Sequence, residues 1–399
     1  MRGMKETKFK NTEIGEIPED WEVRTINSFC SVKTGPFGSM LHAEDYVAKG
    51  TPIVTTEHFK NGILPLVGKD IPQVGIEDLK RMSSYTLTKD DIVFSRVGSV
   101  DINALVTVRQ KGWLFSGRVL RVRPFKQTDS LYLHYGLLKH SVRSNIVSRA
   151  VGLTMASINT KILGETELSL PPLNEQHRIA SALTSIDNLI SSLGKLIEKK
   201  KNIKQGAMQQ LLTGKTRLKG FNEPWVEKKL GEVCSVKRGV RVVKRNLTTD
   251  GLYPVYQNTN IPLGYSNQYN VEANTPFVII GGSAGQVGIC RERYWAADDC
   301  AFFACHDIYK EYLYYVLLLN QRNILHNVRT GTIPRLDRTF LSGMLVYISS
   351  NIAEQQAIAT ILTKMDDEIT ALEAKKAKYE AIKQGMMQQL LTGKIRLIS

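Results

Sequence analysis

Three groups of side chains have the types and spacing to bind a ligand or do chemistry. The first is a pair of cation clusters free of acids: Arg109, Lys111, Arg118, Arg121, Arg123 and Lys126, then Lys237, Arg238, Arg241, Lys244 and Arg245. With a net charge of +15 and a pI near 9.5, they favour a polyanionic partner over plain solvated surface. The second is a pair of glycine-containing turns, Arg96-Val97-Gly98-Ser99-Val100 and Gly281-Gly282-Ser283-Ala284-Gly285-Gln286-Val287-Gly288. Neither has the Gly-Lys-Ser/Thr of a P-loop or the spacing of a dinucleotide fingerprint. They read instead as loops that bring backbone and Ser, Gln or Arg side chains close to a ligand. The third is Cys300, Cys305 and His306, which lack a fourth metal ligand. The five cysteines contain no C-x-x-C pair, so buried apolar cysteine is the reading rather than zinc or a disulfide framework. No Walker, H-E-x-x-H or G-x-S-x-G motif occurs, and the sequence points away from a self-sufficient enzyme.

These groups are positioned by a chain that repeats itself. Residues 204–218 (KQGAMQQLLTGKTRL) and 383–397 (KQGMMQQLLTGKIRL) match at thirteen of fifteen positions, at an offset of 179. Upstream of them, Ile179, Leu183, Ile186, Ile190, Leu193 and Ile197 step by 4 and 3, as do Ile358, Leu362, Met365, Ile369 and Leu372. That spacing predicts the seam of a coiled coil, with two helices of about 39 residues, or roughly 58 Å at ~1.5 Å per residue. The register slips near Lys200 and Tyr379, and Ile203, Ala207 and Leu211, like Ile382, Met386 and Leu390, resume on a shifted face. Pro171-Pro172 and Asn174 precede the first helix; Asn351 and Glu354 suggest a capping box for the second. Gly214 and Gly393 suit left-handed caps. His177 is matched by Gln356 at the equivalent position of the second copy and reads as a surface residue.

The chain therefore divides into modules 1–173 and 218–350, with helical segments 174–217 and 351–399. The modules share an opening, IPEDWEVRTINSFCSVKTG and NEPWVEKKLGEVCSVKRG, then diverge, as related modules reading different ligands would. Both middles predict short strands, notably Ile92-Val93-Phe94 and Phe277-Val278-Ile279-Ile280, and helices over Ser130–Val147 and Ile308–Val328. The expected class is α/β, and antiparallel long helices would relate the halves by a pseudo-twofold axis. The polar repeat, including Gln205 and Gln384, exceeds what a seam needs; identical patches suit two copies of one partner, or a helix end packed on the modules. No run approaches the ~18 apolar residues of a membrane span, and a cytoplasmic location is expected.

Two variable modules, each followed by E-Q, a long helix and K-Q-G-x-M-Q-Q-L-L-T-G-K-x-R-L, closely resemble the specificity (S) subunits of type I restriction–modification enzymes. The resemblance covers essentially the whole chain; SSNIAEQQ departs from it by lacking the prolines of LPPLNEQ. It implies a non-catalytic DNA reader with two target recognition domains, each binding one half of a split asymmetric sequence, and paired helices setting the gap. It further implies two modification subunits that methylate adenine, and restriction subunits that cut unmodified DNA. No cofactor is expected in this chain; S-adenosylmethionine, ATP and Mg belong to those partners. Paired DNA-binding units read half-sites about one helical turn (~34 Å) apart. Candidate contacts are Arg96, Ser99, Arg118 and Arg121 in module one, and Arg241, Lys244, Arg245, Ser283, Gln286 and Arg335 in module two. The alternatives are a related reader in another restriction or phage-defence assembly, and a protein-only coiled-coil adaptor.

Overall fold

In the first module the alternating apolar segments become β1 (Glu22–Thr25), β2 (Cys30–Thr34), β3 (Ile92–Ser95), β4 (Asn103–Leu105) and β5 (Val119–Pro124). The computed structural model describes residues 7–36, 42–152, 154–243, 245 and 247–398. Strands β2, β5, β3 and β4 lie in that order in an antiparallel sheet, with Val32, Val122, Ile92 and Leu105 aligned across it. All four residues of β3 are buried, because both faces of the sheet are covered. Ile92, Phe94, Leu120 and Val122 face the main core, shared with α1 (Ser130–Leu137). Val93, Ala104 and Val119 face a second core with Val54, Trp113 and Phe115, under a small sheet centred on Thr51–Val54. A strand buried on both sides needs an unbroken apolar run, which is why it stood out in the sequence. The turn before it places Asp90 at φ 73°, a left-handed conformation that Asp and Asn tolerate better than most residues. The module closes with β6 (Glu167–Leu170), which pairs with β1, and leads into α2 (Leu173–Leu211).

The second module repeats this topology with other residues. Its elements are β7 (Trp225–Lys229), β8 (Cys234–Arg238), β9 (Pro276–Ile279), β10 (Val287–Ile289), β11 (Cys300–Cys305), α3 (Lys310–Leu319), β12 (Leu345–Ser349) and α4 (Ile352–Leu390). The sheet order is β8-β11-β9-β10, β7 pairs with β12, and Asn274 stands at φ 58° where module one has Asp90. Cys300 and Cys305 lie at opposite ends of β11, about 16 Å apart at ~3.3 Å per residue, too far to share a metal.

Both long helices are unbroken and 39 residues long. Two compact units result, Met1–Ser192 with Lys376–Ser399, and Leu193–Lys375. They divide the chain differently from the four sequence segments, since each unit takes a module, the head of its own helix and the tail of the other. In unit one the α4 tail runs antiparallel to the α2 head, with Lys383 beside Asp187 and Arg396 beside Glu175. In unit two the α2 tail runs antiparallel to the α4 head, with Lys204 beside Asp366 and Arg217 beside Glu354. Ile179, Leu183, Leu193, Ile358, Leu362 and Ile369 are buried, while Ile186, Ile190, Met365 and Leu372 are half-buried.

Four sequence expectations are corrected. Ile203 and Ile382 do not rejoin the seam; they are 47% and 39% exposed, and burial resumes at Ala207 and Met386. The helix expected over Ser130–Val147 stops at Leu137 and restarts at His140–Ser148, with Lys139 extended between them. That break turns Val142 and Ile146 onto the core. Likewise Ile308–Val328 forms α3 and a separate Gln321–His326. The capping box is half made: Asn351 Oδ1 accepts from the Ala353 and Glu354 amides, but the Glu354 carboxylate is bound elsewhere.

Candidate nucleic-acid interface

Antiparallel pairing gathers three strand ends of each sheet at one edge. In module one these are the C-terminal ends of β2 and β3 and the N-terminal end of β5. Arg96 ties them together: Nη1 donates to Gly117 O (2.8 Å) and Thr34 Oγ1 (3.4 Å), and its amide donates to Arg118 O (3.0 Å). The turn continues through Gly98 at φ 84°, whose amide donates to Ala156 O, to an exposed Ser99. Arg118 is exposed on the neighbouring loop. The structure thus brings Arg96, Ser99 and Arg118 together.

Arg121 is corrected. It is 7% exposed, its guanidinium lies 5.9 Å over the Phe115 ring, and its Nε has no hydrogen-bond partner among the described residues. Burial, then the adjacent Arg123, holds its pKa below the ordinary arginine value. Two other cations of that cluster are divided by packing. Arg123 is bound to the buried Asp91 through Nε (2.6 Å) and Nη2 (2.7 Å), while Arg109 stays exposed. Lys33, opposite Arg121 in the sheet, is likewise tied into the module, with Nζ 4.3 Å over Tyr85 and donating to Ser84 O.

Module two presents the same edge. Gly281 bridges Arg335, and Arg329 bridges Arg335 in turn, as Val97 and Val151 bridge Ser157 in module one. The Ser283 amide donates to Asn258 O (2.9 Å), and Gln286 Oε1 accepts from the Asn260 amide (3.3 Å). Arg335 is exposed, with Nη1 3.4 Å from Asp299. Arg238 Nε donates to Asp298 O, which puts the segment leading to the exposed Arg241 and Arg245 beside this edge. Ser283, Gln286 and Arg335 are therefore neighbours; Lys244 lies outside the described residues. Asn258, Asn260 and Arg329 join them without a sequence signal, since only the fold places their loops here.

The repeated helix ends account for themselves in part as clasps. Arg396 grips the buried Glu175 through Nε and Nη2 (both 2.8 Å), and Trp21 Nε1 donates to the same carboxylate (3.1 Å). In unit two Arg217 grips Glu354 (2.7 and 2.9 Å) with Trp225 Nε1 at 3.2 Å. Further along, Lys383 and Tyr135 share Asp187, and Lys204 and Tyr315 share Asp366. Leu390, Leu391, Leu211 and Leu212 enter the module cores. Gly214 and Gly393 stand at φ 68° and 70° under Trp225 and Trp21. Gln205, Gly206 and Gln209, with Gln384, Gly385 and Gln388, are left exposed.

A family model described as the type I restriction modification DNA specificity domain matches this chain twice, over residues 18–205 and 222–384. The chain belongs to that family. The type I restriction enzyme MjaVIII specificity subunit of Methanocaldococcus jannaschii is 27% identical to it, over 100% of this chain and 98% of the relative. A type I restriction–modification S subunit from M. genitalium has the same fold, with a TM-score of 0.68 at 19% identity, covering 93% of this chain and 96% of that one. A chain from a structure describing assembly and conformational transition of the type I system gives a TM-score of 0.54 at 14% identity, covering 95% and 99%. Each family match begins at a module opening and runs into its long helix, so the internal duplication is a duplication of the specificity domain. Among the described residues no helix is long and apolar enough to cross a membrane, and no group of His, Cys, Asp and Glu is placed to hold a metal.

Proposed function

We propose that this chain is the DNA-reading subunit of a type I restriction–modification complex, each module reading one half of a bipartite asymmetric target. One observation carries the reading: two specificity domains of one topology present unlike loops at the same sheet edge, Arg96, Ser99 and Arg118 in one, Ser283, Gln286 and Arg335 in the other. Side chains of these types read base edges, and the surrounding cations, Arg241 and Arg245 among them, take phosphates. The paired helices set the gap between half-sites. The chain itself performs no catalytic step and holds no cofactor.

The exposed helix faces would dock two modification subunits, which would carry S-adenosylmethionine and methylate adenine; restriction subunits would use ATP and Mg to cut. Gly206 and Gly385 support docking. Among the described residues a Cβ at either would meet nothing within 4 Å, so their packing does not demand glycine there. A mid-helix glycine costs about 1 kcal/mol relative to alanine. Carrying that cost at both equivalent positions suits a partner's backbone that comes close. The test is to map methylated adenines in cells expressing the chain with its modification partner. A split asymmetric motif supports the reading, and a single contiguous or palindromic motif opposes it.

A further inference from the structure

The two reading edges carry opposite charges at one equivalent position. In module one the Arg96 amide donates to Arg118 O (3.0 Å), and in module two the Ile280 amide donates to Asp299 O (2.8 Å). Each accepting residue stands immediately before its strand, β5 or β11, and each facing turn has a glycine at φ 84°, Gly98 or Gly282. Arg118 therefore corresponds to Asp299. By alternation from Leu120 and Ala301, both side chains leave their sheet on its main-core face, where it meets solvent at the edge.

Module two is built around that carboxylate. A Cβ at Gly281 would lie 2.4 Å from Asp299 Oδ1, whereas module one, with Arg118 in place of Asp299, has Val97 at the position of Gly281. Arg335 Nη1, at 3.4 Å, is the carboxylate's one hydrogen-bond donor among the described residues, so most of its accepting capacity is unused. The Asp299 side chain is 21% exposed. Arg238, which donates to Asp298 O, and Arg329, which pairs with Arg335, are exposed beside it. A carboxylate facing a polyanion lowers affinity for every sequence alike, unless one sequence offers it a donor. At module one's edge Arg96, Ser99 and Arg118 bring no such acid.

We propose that Asp299 and Arg118 are specificity-determining residues that make the two half-sites unlike. Asp299 accepts a hydrogen bond from an exocyclic amine in the major groove, and Arg118 donates to guanine O6 and N7. The inference rests on the DNA-reading function and assigns two of its base contacts. Cytosine N4 and adenine N6 present the same donor to a carboxylate, which has acceptors only and is repelled by the acceptors of guanine and thymine. Arg118 is the converse, with donors only, and matches the paired acceptors of guanine. Arg335 offsets the charge that Asp299 brings to the groove.

The test uses the full chain with its modification partner and a fluorescently labelled duplex carrying the mapped target. In module two's half each adenine is replaced in turn by purine, and each cytosine by 2-pyrimidinone, bases that lack the exocyclic amine. One such replacement should weaken wild-type binding about tenfold and leave the affinity of Asp299→Ala unchanged; which analogue does so identifies the base. Asp299→Asn, which keeps the shape, should relax the methylated motif at that one base pair. It should also tighten binding to unrelated DNA, because a charge that repels phosphates is gone. Arg118→Ala should make binding insensitive to a guanine analogue lacking N7 at one position of the other half. Amine scans that are the same for wild type, Asp299→Ala and Asp299→Asn would overturn the assignment. So would relaxation of one and the same guanine by Asp299→Ala and Arg335→Ala, which would make Asp299 a brace for Arg335. Failure of the wild-type complex to bind a split target would instead overturn the DNA-reading function.

Discussion

Glu175→Gln is the sharpest perturbation of the clasp. Glu175 is 2% exposed and accepts four hydrogen bonds: two from Arg396, one from Trp21 Nε1 and one from the Leu397 amide. Glutamine keeps the shape, removes the charge and turns an NH₂ toward Arg396, whose side chain is 8% exposed. Breaking one side of a buried pair costs roughly 3–5 kcal/mol. Arg396 retains Asp20 at 2.8 and 2.6 Å, which places the cost near the lower end, about 3 kcal/mol. At 1.4 kcal/mol per decade this is on the order of a hundredfold in the undocking equilibrium of the helix tail. Hydrogen exchange over residues 383–398 reads that equilibrium directly, since a local opening is what exposes these amides. Asp20→Asn is the control: its carboxylate is 54% exposed, so the loss should be below about 1 kcal/mol. Exchange within fivefold of wild type in Glu175→Gln, or equal effects of the two substitutions, would refute the reasoning.

Other expectations follow from the same contacts. Gly393→Ala should lower the thermal midpoint of its unit more than Gly214→Ala. Both sit at positive φ, but an added Cβ lies 2.4 Å from Pro18 Cγ at Gly393 and 3.1 Å from Trp225 at Gly214. Gly385→Ala should do the opposite, raising helix stability by up to about 1 kcal/mol while weakening capture of the modification subunit in a pull-down. His134 is held down to about 4 by burial, then by Lys383, while its Nδ1 lies 2.6 Å from Asn103 Oδ1. The unfolded chain protonates it near 6.5, so folding stability falls as pH drops from about 6.5 to about 4. His134→Gln should flatten that limb in denaturant titrations; an unchanged limb would deny the residue this role. Arg241→Glu should weaken target binding and reduce its salt dependence, measured by anisotropy across a salt series.

The helices were legible because duplication and a 4–3 spacing are local patterns, and β3 and β9 because strands buried on both faces leave continuous apolar runs. Glu354 was legible only in kind. Its place at a helix start suggested a cap, but the carboxylate is claimed by Arg217 and Trp225, more than a hundred residues distant, and spacing carries no trace of such a contact. Arg121 was misplaced for the related reason that alternation along β5 sets its direction, and the register with Lys33 and Val93 turns it into the protein. Asn258, Asn260 and Arg329 reach the reading edge through loop packing, which local sequence does not encode.

The most direct test exchanges residues 1–173 for the first module of another family member and maps methylated adenines in cells that supply the modification partner. The account predicts a split motif in which one half changes while the other half and the gap stay the same. A motif altered in both halves, or left unaltered, would contradict it.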